Sequence, residues 1–98
     1  MTRKLKPVHP GDVLKHDFLE PLGLTPYRLA KEIGVSVPTV NDIVRGRRAV
    51  TADTALRLSH YFGTSAEVWL GLQAGYDLEV TGSKVGKRIA ALPRHAQA

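Results

Sequence analysis

The chain divides into five segments in which apolar residues recur every three or four positions, the spacing of one helix face. A residue that favours a helix N-terminus opens each segment: Pro10, Thr25, Ser36, Thr51 and Ser65. A glycine that can end a helix closes each one: Gly23 (with Pro21), Gly34, Gly46, Gly63 and Gly75. The short connections between them are typical of an all-α bundle, and this is the predicted fold class.

The pattern changes after Gly75. Tyr76, Leu78 and Val80 alternate with polar residues, and this period of two predicts a short strand over residues 76–81. From Gly82 onward the composition indicates a flexible tail with at most a nascent helix.

Length and charge refine this picture. Ninety-eight residues, 43% of them apolar, suffice for one domain. We expect a basic arm over 1–8, the domain over 9–81 and a basic tail over 82–98. The absence of cysteine excludes disulfide scaffolds and thiolate metal sites, and fits a reducing cytoplasm. No apolar run predicts a membrane span or a signal peptide. The net charge of +5 favours a polyanionic partner.

The most specific spacing lies in residues 26–45. A small residue, Ala30, comes four positions before Gly34, where a tight turn needs a left-handed backbone. Val40 and Ile43 follow at the positions where a second helix packs on the first. This is the spacing of a helix-turn-helix, whose second helix enters the DNA major groove. An ordinary αα-hairpin shares the turn and the aliphatic residues, and is the structural alternative.

Core packing leaves one face of that second helix free to contact bases. The candidate base contacts are Ser36, Val37, Pro38, Thr39, Asn41, Asp42 and Arg45. Asn41 can bond bidentately to adenine, and Thr39 or Val37 can touch a thymine methyl group. Asp42 could accept a hydrogen bond from cytosine or form an ion pair with Arg45, and the sequence leaves both open.

Candidate phosphate contacts flank this helix. They are Arg47, Arg48 and Thr51 after it, and Thr25, Tyr27 and Arg28 at the start of the preceding helix. For Arg28 a solvated helix face explains the residue equally well.

Catalytic and metal sites are not expected. The four histidines are far apart in the sequence, and Asp12 with His16 gives only two ligands, more simply a surface pair. No phosphate loop, nucleophile elbow or zinc-protease motif occurs, so we predict no enzyme and no cofactor.

Four stretches in order give the chain a family resemblance: HPGDVL, LAKEIGV, RGRRAVTADTALRLSHYFG and VWLGLQAGYDL. Over residues 9–78 it resembles the HigA (VapI-like) antitoxins, a branch of the XRE/Cro repressor-like helix-turn-helix proteins. The resemblance implies a lambda-repressor-like five-helix bundle that binds a palindromic operator in its own promoter. It also implies homodimerisation and a protein partner, a HigB toxin of RelE-like fold that cleaves mRNA. One departure is Pro26, where related repressors often carry a glutamine that touches phosphate.

The same resemblance places the dimer interface in the C-terminal part of the chain. The apolar residues there also exceed what a small bundle can hide, which favours a twofold interface. The candidate interface residues are Val68, Trp69, Leu72, Tyr76, Leu78 and Val80. For Trp69, a place in the core of the monomer is the alternative.

Three other functions remain open at this stage. The chain could be a stand-alone XRE-type transcriptional regulator without a toxin, or a protein-binding module whose DNA binding is vestigial. A small metal-dependent hydrolase is the remote enzyme alternative.

Overall fold

The computed structural model describes residues 7–95, and this part of the chain contains five helices. Helix α1 covers residues 10–22, followed by α2 (Pro26–Ile33), α3 (Val37–Val44), α4 (Ala52–Phe62) and α5 (Ala66–Ala90). The predicted all-α helix-turn-helix bundle is confirmed. Most of the expected basic arm, residues 1–6, lies outside the described part.

Hydroxyl side chains cap the N-termini of α2 to α5, as the sequence predicts. Each accepts a hydrogen bond from the backbone N–H three residues on and so satisfies one otherwise unpaired donor. The caps are Thr25 to Arg28 (3.0 Å), Ser36 to Thr39 (3.2 Å), Thr51 to Thr54 (3.3 Å) and Ser65 to Val68 (3.1 Å).

Helix α1 contains a π-helical turn, Leu14–Leu19, between short α-helical turns. Pro21 was expected to help end the segment, but the helix continues through it to Leu22, and Gly23 alone ends it. The N–H of Glu20 donates to the carbonyl of Lys15, five residues back. This wider turn relieves the clash that a proline ring makes with the carbonyl four residues before it.

The core lies where all five helices meet, and its largest member is Trp69, which is 1% exposed. Its ring lies 5.3 Å from that of Phe18, which in turn contacts Phe62. The indole Nε1 donates to the hydroxyl of Thr64 at 2.8 Å, so the buried polar atom of Trp69 is satisfied.

The prediction for the end of the chain is wrong. Helix α5 runs unbroken through Gly75 to Ala90, so residues 76–81 are not a strand and 82–90 are helical rather than a flexible tail. Alternation over only five positions is compatible with a helix that has apolar residues on two faces. Tyr76 and Val80, four residues apart, share one face of α5, and Leu78 lies on the opposite one.

Candidate nucleic-acid interface

Helices α2 and α3 form the predicted helix-turn-helix. Ala30 is fully buried where the two helices meet, and Gly34 has φ +76°, the left-handed conformation that the turn requires. The N–H groups of Gly34 and Val35 both donate to the carbonyl of Ala30, at 3.0 and 3.1 Å. The chain therefore turns sharply over the three residues 34–36, and α3 starts directly after the turn.

Helix α3 has one buried and one outward face. Val40 and Ile43 are each 1% exposed and fix its inner side against the core. All seven predicted base contacts are exposed or partly exposed: Ser36, Val37, Pro38, Thr39, Asn41, Asp42 and Arg45. This face offers hydroxyl, amide, carboxylate and guanidinium groups to an external partner.

The segment after α3 carries the arginine cluster. Arg45, Arg47 and Arg48 are all exposed. Asp42 forms an ion pair with Arg48, at 3.6 Å, and not with Arg45, the partner that its spacing suggested. Because that pair offsets the carboxylate, it reduces the repulsion that Asp42 would exert on a nearby phosphate.

The predicted phosphate contacts at the start of α2 are partly engaged within the protein. The hydroxyl of Thr25 caps the helix, and Arg28 Nε donates to Glu32 at 3.3 Å. Tyr27 is exposed, and the Lys31 Nζ lies 5.4 Å from the centre of its ring. Their contact with DNA stays a prediction.

Arg57 of α4 stabilises the turn between α2 and α3 by hydrogen bonds, a role that the sequence did not predict. Its Nη1 donates to the carbonyls of Ile33 (2.8 Å) and Gly34 (3.3 Å), which have no partner within α2. Its Nε also bonds to Asp53. The sequence signal for this role is that Arg57 is the one arginine of α4 and follows Asp53 by four residues.

His9 fixes the other end of α3. It is 5% exposed, and its Nδ1 accepts a hydrogen bond from the N–H of Gly11 at 2.9 Å, which caps α1. Its ring meets the ring of Tyr76 edge-on, with centroids 4.8 Å apart, and it also lies beside Gly46. His9 therefore packs α1 and α5 around the C-terminal end of α3.

Burial lowers the pKa of His9 from its ordinary value of 6.5, although Asp12 and Asp77 act in the opposite direction. Since the folded state disfavours the proton, we expect stability to fall as the pH drops below 6.5 toward the lower folded-state pKa. Unfolding by urea at pH 7.5 and at pH 5 measures this difference. The variant His9→Asn, which keeps a capping acceptor but cannot titrate, should lose less stability on acidification. Equal losses in both proteins would contradict the role of His9.

The predicted dimer residues do not share one environment. Trp69 is buried in the core and has no surface to offer a partner, so its place at an interface is corrected. Leu72 and Tyr76 are partly buried against the body of the domain, and Val80 is partly buried as well. Val68 and Leu78 are exposed, by 52% and 74%.

Neither a metal cluster nor a membrane span is seen in the described residues. Within 7–95, His, Asp and Glu side chains do not gather in groups of three or more that could hold an ion. His16 pairs with Glu20 at 3.1 Å, and not with Asp12 as its spacing allowed. No helix in this part of the chain is long and apolar enough to cross a bilayer.

Comparison with known proteins finds a family profile and relatives that match this chain. A sequence profile described as helix-turn-helix matches residues 16–69. Virulence-associated protein I of Dichelobacter nodosus is 49% identical over 73 residues, which cover 74% of this chain and 68% of that protein. Antitoxin HigA-1 of Vibrio cholerae is 40% identical over 75 residues, which cover 76% of this chain and 70% of that protein.

A solved structure shows the same fold together with DNA. It is described as the Pseudomonas aeruginosa antitoxin HigA with the higBA promoter. That protein is 43% identical to this chain, with a TM-score of 0.88 over 92% of this chain and 99% of the other.

Proposed function

Because the chain belongs to the helix-turn-helix family, in the branch of the HigA antitoxins and VapI-type proteins, we propose that it is an antitoxin that binds operator DNA through α3. This family consists of non-enzymatic DNA-binding regulators, and the chain is not an enzyme. The observation that carries the proposal is the outward face of α3, which is mainly polar and at least partly exposed, with three exposed arginines directly after it.

Base reading follows from the groups on that face. In the major groove, the Oδ1 of Asn41 can accept a hydrogen bond from the N6 amino group of adenine while its Nδ2 donates to adenine N7, which is the bidentate pattern for that base. The methyl groups of Thr39 and Val37 can contact thymine, and Arg45 at the end of the helix can reach a guanine or a phosphate. The buried Val40 and Ile43 set the rotation of the helix that aims these groups outward.

Phosphate contacts hold the helix in its groove. Arg47 and Arg48 lie on the exposed segment after α3, and Thr51 follows at the N-terminus of α4, where backbone N–H groups favour an anion. Thr25, Tyr27 and Arg28 provide a second set of contacts at the start of α2. Each neutralised phosphate releases counterions, so binding should weaken steeply with salt.

A second copy of the chain fits along α5. On the face opposite the core, apolar and small residues recur at alternating spacings of three and four, the a and d positions of a heptad: Val68, Gly71, Gly75, Leu78, Gly82, Val85 and Ile89. Val68, Leu78 and Ile89 are each more than half exposed. Helices with this pattern pack along one seam, and the glycines permit close approach of two backbones. We call these seven residues the α5 seam.

A twofold dimer along the α5 seam would account for a palindromic operator. It would present two α3 helices to successive major grooves, about 34 Å apart, each reading one half-site. Among the residues predicted for the interface, Val68 and Leu78 lie on the seam and Leu72 lies at its edge. For Tyr76 and Val80, on the face turned toward the body, a part in the interface stays a prediction.

The variant Leu78→Glu tests the α5 seam. Because Leu78 is 74% exposed, the change should leave monomer stability nearly unaltered, while it places two buried charges in the dimer. We expect the dimer dissociation constant to rise at least about 100-fold, measured by sedimentation equilibrium. Leu56→Glu, at an exposed leucine of α4 away from the seam, is the matched control and should remain dimeric. A dimeric Leu78→Glu protein would exclude this interface.

The antitoxin role also implies a protein partner. By its family, the chain would neutralise a HigB toxin, a RelE-like ribonuclease that cleaves mRNA, and repress the operon that encodes both proteins in the cytoplasm. Co-expression with the neighbouring gene tests this part. Growth arrest by that gene, relieved by this chain in a stable complex, supports the antitoxin. A neighbour without toxicity or binding would instead leave a stand-alone transcriptional regulator.

Operator binding is tested on the promoter of the chain's own gene. A gel-shift competition should show preference for that fragment over a scrambled duplex of equal length, by at least about 1,000-fold at physiological salt. Equal affinity for the two duplexes would contradict sequence reading and favour a protein-binding module.

A further inference from the structure

Gln73 is an amide side chain on the stripe of α5 that packs against the domain, between the buried Trp69 and the partly buried Tyr76. It is 7% exposed. Its Oε1 accepts a hydrogen bond from the backbone N–H of Val50 at 2.8 Å, and its Nε2 donates to Asp77 Oδ1 at 2.9 Å. A buried amide with both ends engaged is held in one orientation.

Val50 ends the exposed segment that follows α3. The first part of this segment is held by α3, since the N–H of Gly46 donates to the carbonyl of Ile43 and that of Arg47 to the carbonyl of Asp42. At its far end, Val50 is anchored by its buried side chain and by the bond from its N–H to Gln73. The Gln73 bond therefore fixes the exit of the arginine segment and the start of α4 relative to α5.

We propose that Gln73, oriented by Asp77, is a positioning residue. It holds the Arg45–Arg48 segment and the N-terminus of α4 where they can contact DNA phosphates. This role rests on the proposed operator binding and adds to it. Through Gln73, the segment proposed to contact phosphates is attached to α5, the helix that carries the α5 seam. Dimerisation and phosphate contact therefore both depend on α5.

The orientation of the amide gives the proposal a sharp test. Gln73→Leu removes the acceptor for Val50 and should release the segment. Gln73→Glu keeps an acceptor but places a second carboxylate against Asp77, so it should also be defective. Adding Asp77→Asn to Gln73→Glu should restore binding, because the new amide can donate to the new carboxylate while its other oxygen accepts from Val50.

The measured quantities are the affinity for the promoter fragment, its dependence on salt, and hydrogen exchange of the Val50 amide. For Gln73→Leu and Gln73→Glu we expect about tenfold weaker binding, a salt slope smaller by about one to two, and faster Val50 exchange. The double variant should return all three toward the original values. A merely structural role would lower the melting temperature without changing the salt slope.

Thr64→Val is the matched control. It removes the acceptor for Trp69 Nε1, one turn before Gln73 on α5, a bond of the same length, 2.8 Å, that does not involve the arginine segment. It should lower the melting temperature and leave the salt slope unchanged. If the original protein binds its promoter and Gln73→Leu keeps the same affinity and slope, the positioning role is wrong while the proposed function stands. If the original protein does not prefer its promoter, both are wrong.

Discussion

Replacing Gly11 with alanine is expected to lower the free energy of unfolding by about 3 kcal/mol or more, equivalent to at least about 12 °C in melting temperature. A Cβ at Gly11 would lie 1.8 Å from the carbonyl oxygen of Ile43, far inside contact distance. That oxygen also accepts a hydrogen bond from Gly46 at 2.9 Å, so it cannot move without disturbing the end of α3. Since the obstacle is backbone rather than a flexible side chain, α1 must shift as a whole.

Gly86→Ala is the control for this prediction. Nothing lies within 4 Å of a Cβ at Gly86, and the residue is in the exposed part of α5. Because alanine favours a helix over glycine, this variant should gain about 0.5–1 kcal/mol. Thermal and urea unfolding measure both variants. A Gly11→Ala protein that unfolds within about 0.5 kcal/mol of the original would show that α1 does not approach α3 as closely as described.

The double variant Asn41→Ala with Arg45→Ala should lose most of its preference for the promoter. If both residues contact bases, each contact contributes about 1–3 kcal/mol of discrimination, so together the two changes should weaken promoter binding about 30-fold to 25,000-fold. Both residues lie outside the core, which means that the fold should remain intact. Fluorescence anisotropy with promoter and scrambled duplexes gives the ratio of affinities, and circular dichroism checks the helices.

Arg47→Ala separates base reading from phosphate contact. Arg47 lies beyond α3 on the exposed segment, so its loss should weaken binding to both duplexes alike and reduce the salt slope by about one. The assignment of contacts fails if Arg47→Ala alters base preference, or if the double variant still discriminates between the duplexes.

Local signals were sufficient to predict all five helices, although not the length of the fifth. Caps such as Thr25 and Ser36 act over three residues, and the left-handed turn at Gly34 depends on one residue, so both are visible in the sequence. The inward positions Ala30, Val40 and Ile43 follow from helical spacing, and from them the outward face of α3.

The contacts that hold the site depend on residues distant in the chain. Gln73 reaches Val50 across 23 positions, and Arg57 reaches Ile33 across 24. His9 meets Tyr76 through the packing of α1 on α5. A polar residue at position 73 on an otherwise apolar stripe is a visible signal that something must satisfy it, but no local rule identifies Val50 as the partner.

The wrong prediction of a strand over residues 76–81 also has a physical explanation. Gly75, Gly82 and Gly86 each disfavour a helix by about 1 kcal/mol, which made a break after Gly75 the natural prediction. The α5 seam gives Gly75 and Gly82 another role, since they lie on the face proposed to pack against a second copy. Glycines that suggest the end of a helix can thus instead mark a place where two helices pack closely. The sequence alone does not distinguish these cases, whereas the three-dimensional arrangement of the two faces of α5 does.

The most direct measurement of the central claim is a map of backbone amide chemical shifts while isotope-labelled protein is titrated with its promoter duplex. The largest changes are expected on α3 and on residues 45–51, with smaller ones at the start of α2. Changes confined to α4 and α5, with the amides of α3 unaltered at saturation, would contradict DNA reading by this helix.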